Sequence, residues 1–199
     1  MYFPKPMIKK VILPYYLFKN LTIFALKTKH YIKMYSNRDI FIALDFDGTC
    51  VKHAFPEIGE DIGAIPALKA LVKQGYKLIL NSMRDHPSEK ANNPELKKLG
   101  LVPTKRDTLQ EAIDWFNRND IPLYAANDNP SQNAWTDSRK IYAHLYIDDA
   151  ALGVPLVTPD NERPYVDWKG VMLWMAENDW IDDETYKEYF LSTLPKDEE

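Results

Sequence analysis

The chain has 199 residues, of which 45% are hydrophobic, and this length and composition predict one globular domain with appendages. Its formal net charge of −4 gives no basic surface for stable nucleic-acid binding. Cys50 is the single cysteine, which excludes an intramolecular disulfide and leads us to expect a reducing, cytoplasmic compartment.

Residues 1–38 differ from the rest of the chain in charge. They hold eight Lys or Arg residues and no acid, whereas the remainder holds 17 basic and 29 acidic residues. The segment is apolar and aromatic, but no uninterrupted stretch reaches the roughly 20 residues of a transmembrane helix. Three interpretations stand: a basic segment that lies on a membrane surface, a helix that packs on this domain or on a partner, or untranslated sequence ahead of a start at Met34.

The first predicted strand is the apolar run 40–44, and it is followed by the motif D-x-D-G-T at residues 45–49. A continuous apolar run is typical of a strand buried in a parallel sheet, and the glycine predicts a sharp turn. The turn brings Asp47 back toward Asp45 at the carboxyl edge of the sheet, where open α/β folds build their sites. Because close carboxylates repel, the pair predicts a divalent cation, and Mg²⁺ suits such hard oxygen ligands.

A helix near residues 61–74 and a second apolar strand at 77–80 follow. Ser82 lies just after this strand, where its hydroxyl either donates to a substrate or caps the next turn. Arg84 lies two residues further on, and it either forks onto a phosphate or another acidic group of the substrate, or forms a surface ion pair with Asp85.

The polar stretch 84–105 is long enough for a lid loop but too short for a cap domain. A helix over residues 107–119 comes next, and Thr108 with Glu111 predicts a capping box at its start. A third strand is predicted at 123–125.

Lys140 precedes a fourth predicted strand at 145–147, which ends in the acidic pair Asp148 and Asp149. A fifth strand is predicted at 155–157. Strands that alternate with helices predict right-handed crossovers and a parallel sheet covered by helices.

Residues 160–199 form an acidic, aromatic tail. Its stripe of Trp and Met side chains predicts a helix that packs on the sheet, and a run of three acids suits the start of another. We therefore divide the chain into an N-terminal extension at 1–38, an α/β core at 39–159, and C-terminal helices at 160–199.

These motifs, in this order, resemble those of the haloacid dehalogenase (HAD) superfamily, most of whose members are phosphatases. That family has D-x-D-G-T after its first strand, a Ser or Thr after the second, a Lys, and an acidic pair after a later strand. The match covers residues 39–157 and looks most like small bacterial and phage members. The resemblance implies an α/β three-layer sandwich with a central parallel sheet, HAD-like and Rossmannoid, with a minimal cap domain or none.

The resemblance also implies roles for the acids. Asp45 is the nucleophile that forms an aspartyl-phosphate, and Asp47 is the general acid and base. Mg²⁺ is held by Asp45, by the backbone carbonyl of Asp47, and by the acidic pair. We favour Asp149 as a direct ligand, with Asp148 binding directly or through water.

The phosphate of the substrate is expected to contact groups from three parts of the chain. These are Gly48, Thr49, Ser82, Arg84 and Lys140. Arg139 is the rival of Lys140 for the role of the fixed positive charge. His53 lies in the loop after the first strand, where it either contacts substrate or is structural.

The leading hypothesis is a Mg²⁺-dependent phosphohydrolase that acts on phosphomonoesters. Its partner is a small phosphorylated substrate, with nucleotides among the candidates. One alternative is a non-catalytic HAD-fold interaction module, since a fold does not by itself establish an activity. Another is a nucleotide or polynucleotide-end phosphatase, which the acidic core disfavours for polynucleotides.

Overall fold

The computed structural model describes residues 39–87, 94–99 and 105–195. The predictions for the N-terminal extension therefore fall outside the described residues. Across those three ranges, no helix combines the length and apolarity needed to cross a membrane.

Short strands alternate with helices along the chain, as the sequence predicts. The strands are β1 (Phe41–Leu44), β2 (Lys77–Leu80), β3 (Leu123–Ala126), β4 (Leu145–Ile147), β5 (Leu156–Val157) and β6 (Tyr165–Val166). The helices are α1 (Ala64–Lys73), α2 (Pro94–Lys98), α3 (Thr108–Arg118), α4 (Trp168–Glu177) and α5 (Asp183–Ser192).

Four of the strands form one parallel sheet in the order β3-β2-β1-β4. In register, Leu44 lies opposite both Leu80 and Ile147, so the strands end at the same level. The ladder continues one residue further, because the Asp45 amide donates to the Ile147 carbonyl at 3.0 Å and the Asn81 amide to the Leu44 carbonyl at 2.7 Å. The segments after these strands therefore leave from one edge of the sheet.

The order of the strands decides what covers each face. Along the chain, β2 and β3 are added on one side of β1, whereas β4 is added on its other side. Right-handed crossovers therefore place the connection from β3 to β4 on the opposite face of the sheet from the two earlier connections. Leu44 faces a core shared with α1, α3 and α4, whereas Phe41 and Ile79 pack against Ile141 from the last connection. The fold is thus the predicted α/β sandwich with a central parallel sheet. In the described residues, segment 127–144 covers the second face.

The residue that caps the start of α3 is not the one that the predicted capping box requires. Asp107 is the N-cap residue, and its carboxylate accepts a hydrogen bond from the Gln110 amide at 2.9 Å. Thr108 is already helical, and Glu111 pairs with Arg106 instead of reaching back to the helix start. The capping-box prediction was wrong because an aspartate one residue earlier provides the stronger acceptor for the first free amides.

The predicted strand at 155–157 forms, but outside the main sheet. As β5 it pairs with β6 in an antiparallel hairpin. The hairpin lies against the D-x-D-G-T turn, because the Val166 amide donates to the Gly48 carbonyl at 2.8 Å. The Trp168 indole then donates to the Thr49 carbonyl at 2.7 Å. The hairpin and the start of α4 therefore hold the backbone of the D-x-D-G-T turn through hydrogen bonds.

Candidate functional site

Three carboxylates meet at the carboxyl edge of the sheet, where β1 and β4 lie side by side. Carboxylate oxygens of Asp45, Asp148 and Asp149 all lie within 4.8 Å of one another, and all three residues are partly buried. We call these three residues the acid cluster. The fold thus brings together the side chains of three of the four residues predicted to hold Mg²⁺.

Thr49 joins the two motifs that supply the acid cluster. Its hydroxyl donates to Asp45 Oδ2 at 3.4 Å and accepts from the Asp149 amide at 3.1 Å, and the residue is fully buried. The Gly48 amide donates to the Val51 carbonyl at 2.7 Å within the same turn. Gly48 and Thr49, two of the residues predicted to bind phosphate, therefore make hydrogen bonds that hold the D-x-D-G-T turn in place.

Burial and neighbouring charge act together on Asp45. The pKa of Asp45 is raised from 3.8 to about 7, chiefly by desolvation and then by the negative charges of Asp148, Asp149 and Asp47, against the lowering effect of a hydrogen bond from the Phe46 amide. A carboxylate in this setting is stabilised by a proton or by a cation. Carboxylate oxygens are the ligands that Mg²⁺ prefers, so the chemistry of the acid cluster fits that ion.

The raised pKa of Asp45 makes a prediction about stability. Because the folded state holds this proton more tightly than the unfolded state, its stabilising contribution is lost as the pH rises from about 4 to about 7. Each pKa unit corresponds to about 1.4 kcal/mol, so the ionised side chain costs the metal-free protein up to about 4 kcal/mol at pH 8. In EDTA, Asp45→Asn should therefore be more stable than wild type at pH 8 in urea denaturation, with a smaller gain at pH 5.

The exposed residue Asp120 supplies the control for this measurement. Asp120→Asn makes the same chemical change away from the acid cluster and should shift the free energy of unfolding by little at either pH. A stability difference between wild type and Asp45→Asn that is the same at pH 5 and pH 8 would contradict the electrostatic explanation.

Asp47 lies outside the acid cluster and pairs with Arg84. The Arg84 guanidinium donates from Nε to Asp47 Oδ2 and from Nη2 to Asp47 Oδ1, each at 2.7 Å. It also donates to the backbone carbonyls of Pro56 and Glu57, at 3.2 and 2.7 Å. Its planar end lies 4.9 Å from the centre of the Phe46 ring. Arg84 is thus held on every side by the loop that follows β1.

This arrangement differs from both interpretations of Arg84 made from the sequence. The side chain is 2% exposed and is committed to Asp47, so it neither reaches out to a phosphate nor pairs with Asp85 at the surface. The physical reason is the sheet order: β2 lies beside β1, so the turn after β2 faces the D-x-D-G-T turn. In the structure, Arg84 positions the second aspartate of the motif.

Ser82 lies at the predicted strand end and takes part in a turn. Its Oγ accepts from the Arg84 amide at 3.2 Å, which leaves the hydroxyl proton available to a ligand. The Ser82 amide donates to Asn127 Oδ1 at 2.8 Å, and Asn127 Nδ2 donates to the Arg84 carbonyl at 3.1 Å. Asn127, from the end of β3, therefore clamps this turn, a role that its position beyond a strand did not reveal.

Lys140 and Arg139 lie on an exposed stretch before β4. The Lys140 ammonium group lies 5.6 Å from the centre of the Tyr146 ring, in a cation–π contact. Tyr146 occupies the middle of β4, one residue before the end of the strand. In this conformation Lys140 contacts the flank of β4, and among the described contacts nothing joins it to the acid cluster.

Cys50 is fully buried beneath the site, where its thiol donates to the Asp45 carbonyl at 3.3 Å. Burial raises the pKa of Cys50, so the reactive thiolate form is disfavoured. The residue packs in the main core as a small apolar group.

Two polar recesses lie at the surface, one beside His53 and one beside Asn127. One of about 280 Å³ is lined by Lys52, His53, Glu162, Arg163 and Tyr165. The other, of about 380 Å³, runs from Asn127 along the segment that follows β3. Both recesses are shallow and open, so groups larger than a phosphate have room beside the turns.

Comparisons with known proteins give little beyond this geometry. No protein-family model matches the sequence, and no curated protein matches it. Among solved structures, the chain is similar to a conserved protein coded by a locus of Bacteroides thetaiotaomicron. The two are 33% identical over 71% of this chain and 93% of that one, with a TM-score of 0.49. The words "conserved protein" name no activity.

Proposed function

We propose that this chain is a Mg²⁺-dependent phosphohydrolase of the HAD type that cleaves phosphomonoesters through an aspartyl-phosphate. The observation that carries the proposal is the acid cluster. It places Asp45 beside Asp148 and Asp149 in a partly buried position where Asp45 resists ionisation unless a cation is present. The D-x-D-G-T motif, to which Asp45 belongs, is the strongest point of resemblance to that superfamily.

When bound, Mg²⁺ would offset the negative charge of the phosphate and of the acid cluster. Asp45 is the nucleophile in this proposal: one carboxylate oxygen bonds to phosphorus as the bond from phosphorus to the leaving oxygen breaks. Water then attacks phosphorus, releases inorganic phosphate and returns the Asp45 carboxylate. This division replaces one slow hydrolysis by two faster steps.

Asp47 moves the proton in both steps. It donates a proton to the leaving oxygen in the first step and accepts one from the attacking water in the second. The two hydrogen bonds from Arg84 are accepted by Asp47 in its carboxylate form, which is the form the second step needs, whereas in the first step Asp47 must take up a proton while paired with Arg84. Arg84 also fixes the direction of this carboxylate, so proton transfer occurs from a defined position.

Phosphate oxygens need donors as charge develops on them. The Ser82 hydroxyl supplies one, from a turn that Asn127 clamps in place. Lys140 supplies a positive charge in the proposal, and it reaches the phosphate only by leaving the Tyr146 ring. Exposed Lys side chains change rotamer readily, so this movement is compatible with the fold.

The open site leaves room for a phosphorylated substrate larger than a bare phosphate, with nucleotides among the candidates. Residues 81–107 separate β2 from α3, which is too short a connection for a cap domain. The recesses beside His53 and Asn127 are open and polar, and suit hydroxyls or charged groups more than a hydrocarbon chain. A cytoplasmic location agrees with the single buried cysteine.

Phosphate release from a broad panel of phosphomonoesters tests the proposal. We expect release with Mg²⁺ and none with EDTA. Asp47→Asn should slow the preferred reaction by roughly 10²–10⁴-fold, because it removes the proton donor. Asp114→Asn, on α3, provides the matched control and should keep wild-type activity.

The outcomes separate the candidate functions. Mg²⁺-dependent release that Asp47→Asn slows would support the phosphohydrolase, and the best substrate would identify its chemical class. Absence of release from a folded, Mg²⁺-bound protein across the panel would favour the interaction module instead. Release that is equally fast in EDTA would contradict the role given to the metal.

A further inference from the structure

His53 lies against the acid cluster from the loop that follows the D-x-D-G-T turn. Its Nε2 is 3.2 Å from Asp149 Oδ2 and 3.2 Å from the Pro164 carbonyl oxygen. A carboxylate oxygen and a carbonyl oxygen both accept hydrogen bonds, so Nε2 must carry the proton that is shared between them. One imidazole nitrogen is thereby committed to two oxygens from distant parts of the chain.

The ring is packed closely over the turn. A Cβ atom added to Gly48 would lie 2.3 Å from His53 Nε2 and 2.9 Å from Asp149 Cγ, so the imidazole and the carboxylate fill the space that a side chain would need. Gly48 also has φ +90°, a conformation that favours glycine. The His53 side chain is 14% exposed. The glycine of the motif therefore makes room for the contact between His53 and Asp149.

The β5–β6 hairpin holds the other side of the ring. Pro164 immediately precedes β6, and the next residues are tied to the turn by the hydrogen bond from the Val166 amide to the Gly48 carbonyl, 2.8 Å long. The ring thus lies between the turn and the hairpin, with its Nε2 directed at one oxygen of Asp149.

We propose that His53 is a positioning residue that orients the Asp149 carboxylate for Mg²⁺ binding at the acid cluster, and that the hairpin holds His53 through the Pro164 carbonyl. This inference rests on the proposed Mg²⁺ site. Hydrogen-bond partners of metal-binding carboxylates commonly contribute about 10- to 100-fold to metal affinity, because they fix the orientation of the ligand. Without His53, Asp149 would have to be ordered when the ion binds.

Isothermal titration of the full chain with Mg²⁺ tests the inference. His53→Ala should weaken Mg²⁺ binding by about 10-fold. His53→Gln places an amide donor near the position of Nε2 and should recover most of the affinity, whereas His53→Asn is too short to do so. If the alanine variant fails to fold, the difference between the glutamine and asparagine variants decides the question.

His86 provides the matched control, because its Nδ1 lies 2.8 Å from Asp107 Oδ1 in a second pair of histidine and aspartate away from the acid cluster. His86→Ala should bind Mg²⁺ as wild type does. A purely structural role for His53 would lower the metal-free melting temperature of His53→Ala but leave Mg²⁺ affinity unchanged, and that result would overturn the inference.

Mg²⁺ binding by wild type separates failure of the inference from failure of the proposed function. If wild type binds Mg²⁺ and His53→Ala binds it equally well, the metal site stands and the role of His53 does not. If wild type itself binds no Mg²⁺, both the metal site and the role of His53 are overturned.

Discussion

Asp45→Asn is expected to remove phosphatase activity, with a loss of about 10⁴-fold or more. An amide oxygen is a poor nucleophile, so the variant cannot form the aspartyl-phosphate that divides the reaction into two steps. The fold should survive, because asparagine has the same shape and relieves the charge repulsion that raises the pKa of Asp45. Phosphate release from the preferred substrate with saturating Mg²⁺ measures the loss.

A chemical trap adds a direct readout of the intermediate. Borohydride reduces an acyl phosphate to the alcohol, so Asp45 in wild-type protein quenched during turnover should appear as homoserine in a peptide map. Asp120→Asn should keep both the activity and the trapped product, because it makes the same change at an exposed position. Turnover by Asp45→Asn at near wild-type rate, or trapping at a different aspartate, would refute the assignment of the nucleophile.

The acid cluster was predictable because its determinants are local. Each acid directly follows an apolar run that the sequence marks as a strand, and parallel strands bring such positions to one edge. No side-chain geometry was needed to place Asp45 near Asp148 and Asp149. The sheet order and register then bring carboxylate oxygens of all three within 4.8 Å of one another.

The contacts that orient these acids were not predictable in the same way. Arg84 and Asp47 are 37 positions apart, and His53 and Pro164 are 111 apart. From the sequence, Arg84 had a nearer carboxylate in Asp85, and the choice between them depends on the order of strands and on the path of the loop after β1. The adjacent positions of β1 and β2 would have suggested Arg84 as a partner for Asp47.

Lys140 shows the opposite difficulty. Its place in the motif order that resembles the HAD superfamily predicts a role for it, yet its side chain contacts Tyr146 in this structure. A long, exposed side chain has many rotamers of similar energy, so neither spacing nor strand position fixes where its charge lies. The role of Lys140 therefore stays a prediction, whereas the buried Arg84 has a position set by packing.

Arg84→Met should cause the largest loss of stability among these variants. It leaves the Asp47 carboxylate without its partner, and breaking a buried ion pair from one side costs about 3–5 kcal/mol. The Asp47 side chain is 18% exposed, so water relieves part of this penalty, and we expect Arg84→Met to lose about 3 kcal/mol in free energy of unfolding. The Pro56 and Glu57 carbonyls also lose their donor, which loosens the loop after β1.

Arg106→Met is the exposed comparison, because Arg106 also forms a two-point pair, with Glu111 at 2.9 and 2.7 Å, and in addition pairs with Glu57. That pair is 39% and 32% exposed on its two side chains, and solvent-exposed pairs contribute about 1 kcal/mol or less. Urea denaturation in EDTA measures the free energy of unfolding lost by each variant, and the comparison requires that the dependence of this free energy on urea concentration is unchanged. If burial decides the contribution of the pair, Arg84→Met must lose clearly more free energy of unfolding than Arg106→Met. Adding Asp47→Asn to Arg84→Met should then restore part of the lost free energy of unfolding, because the amide removes the unpaired charge. Equal losses in Arg84→Met and Arg106→Met would mean that Asp47 does not depend on Arg84.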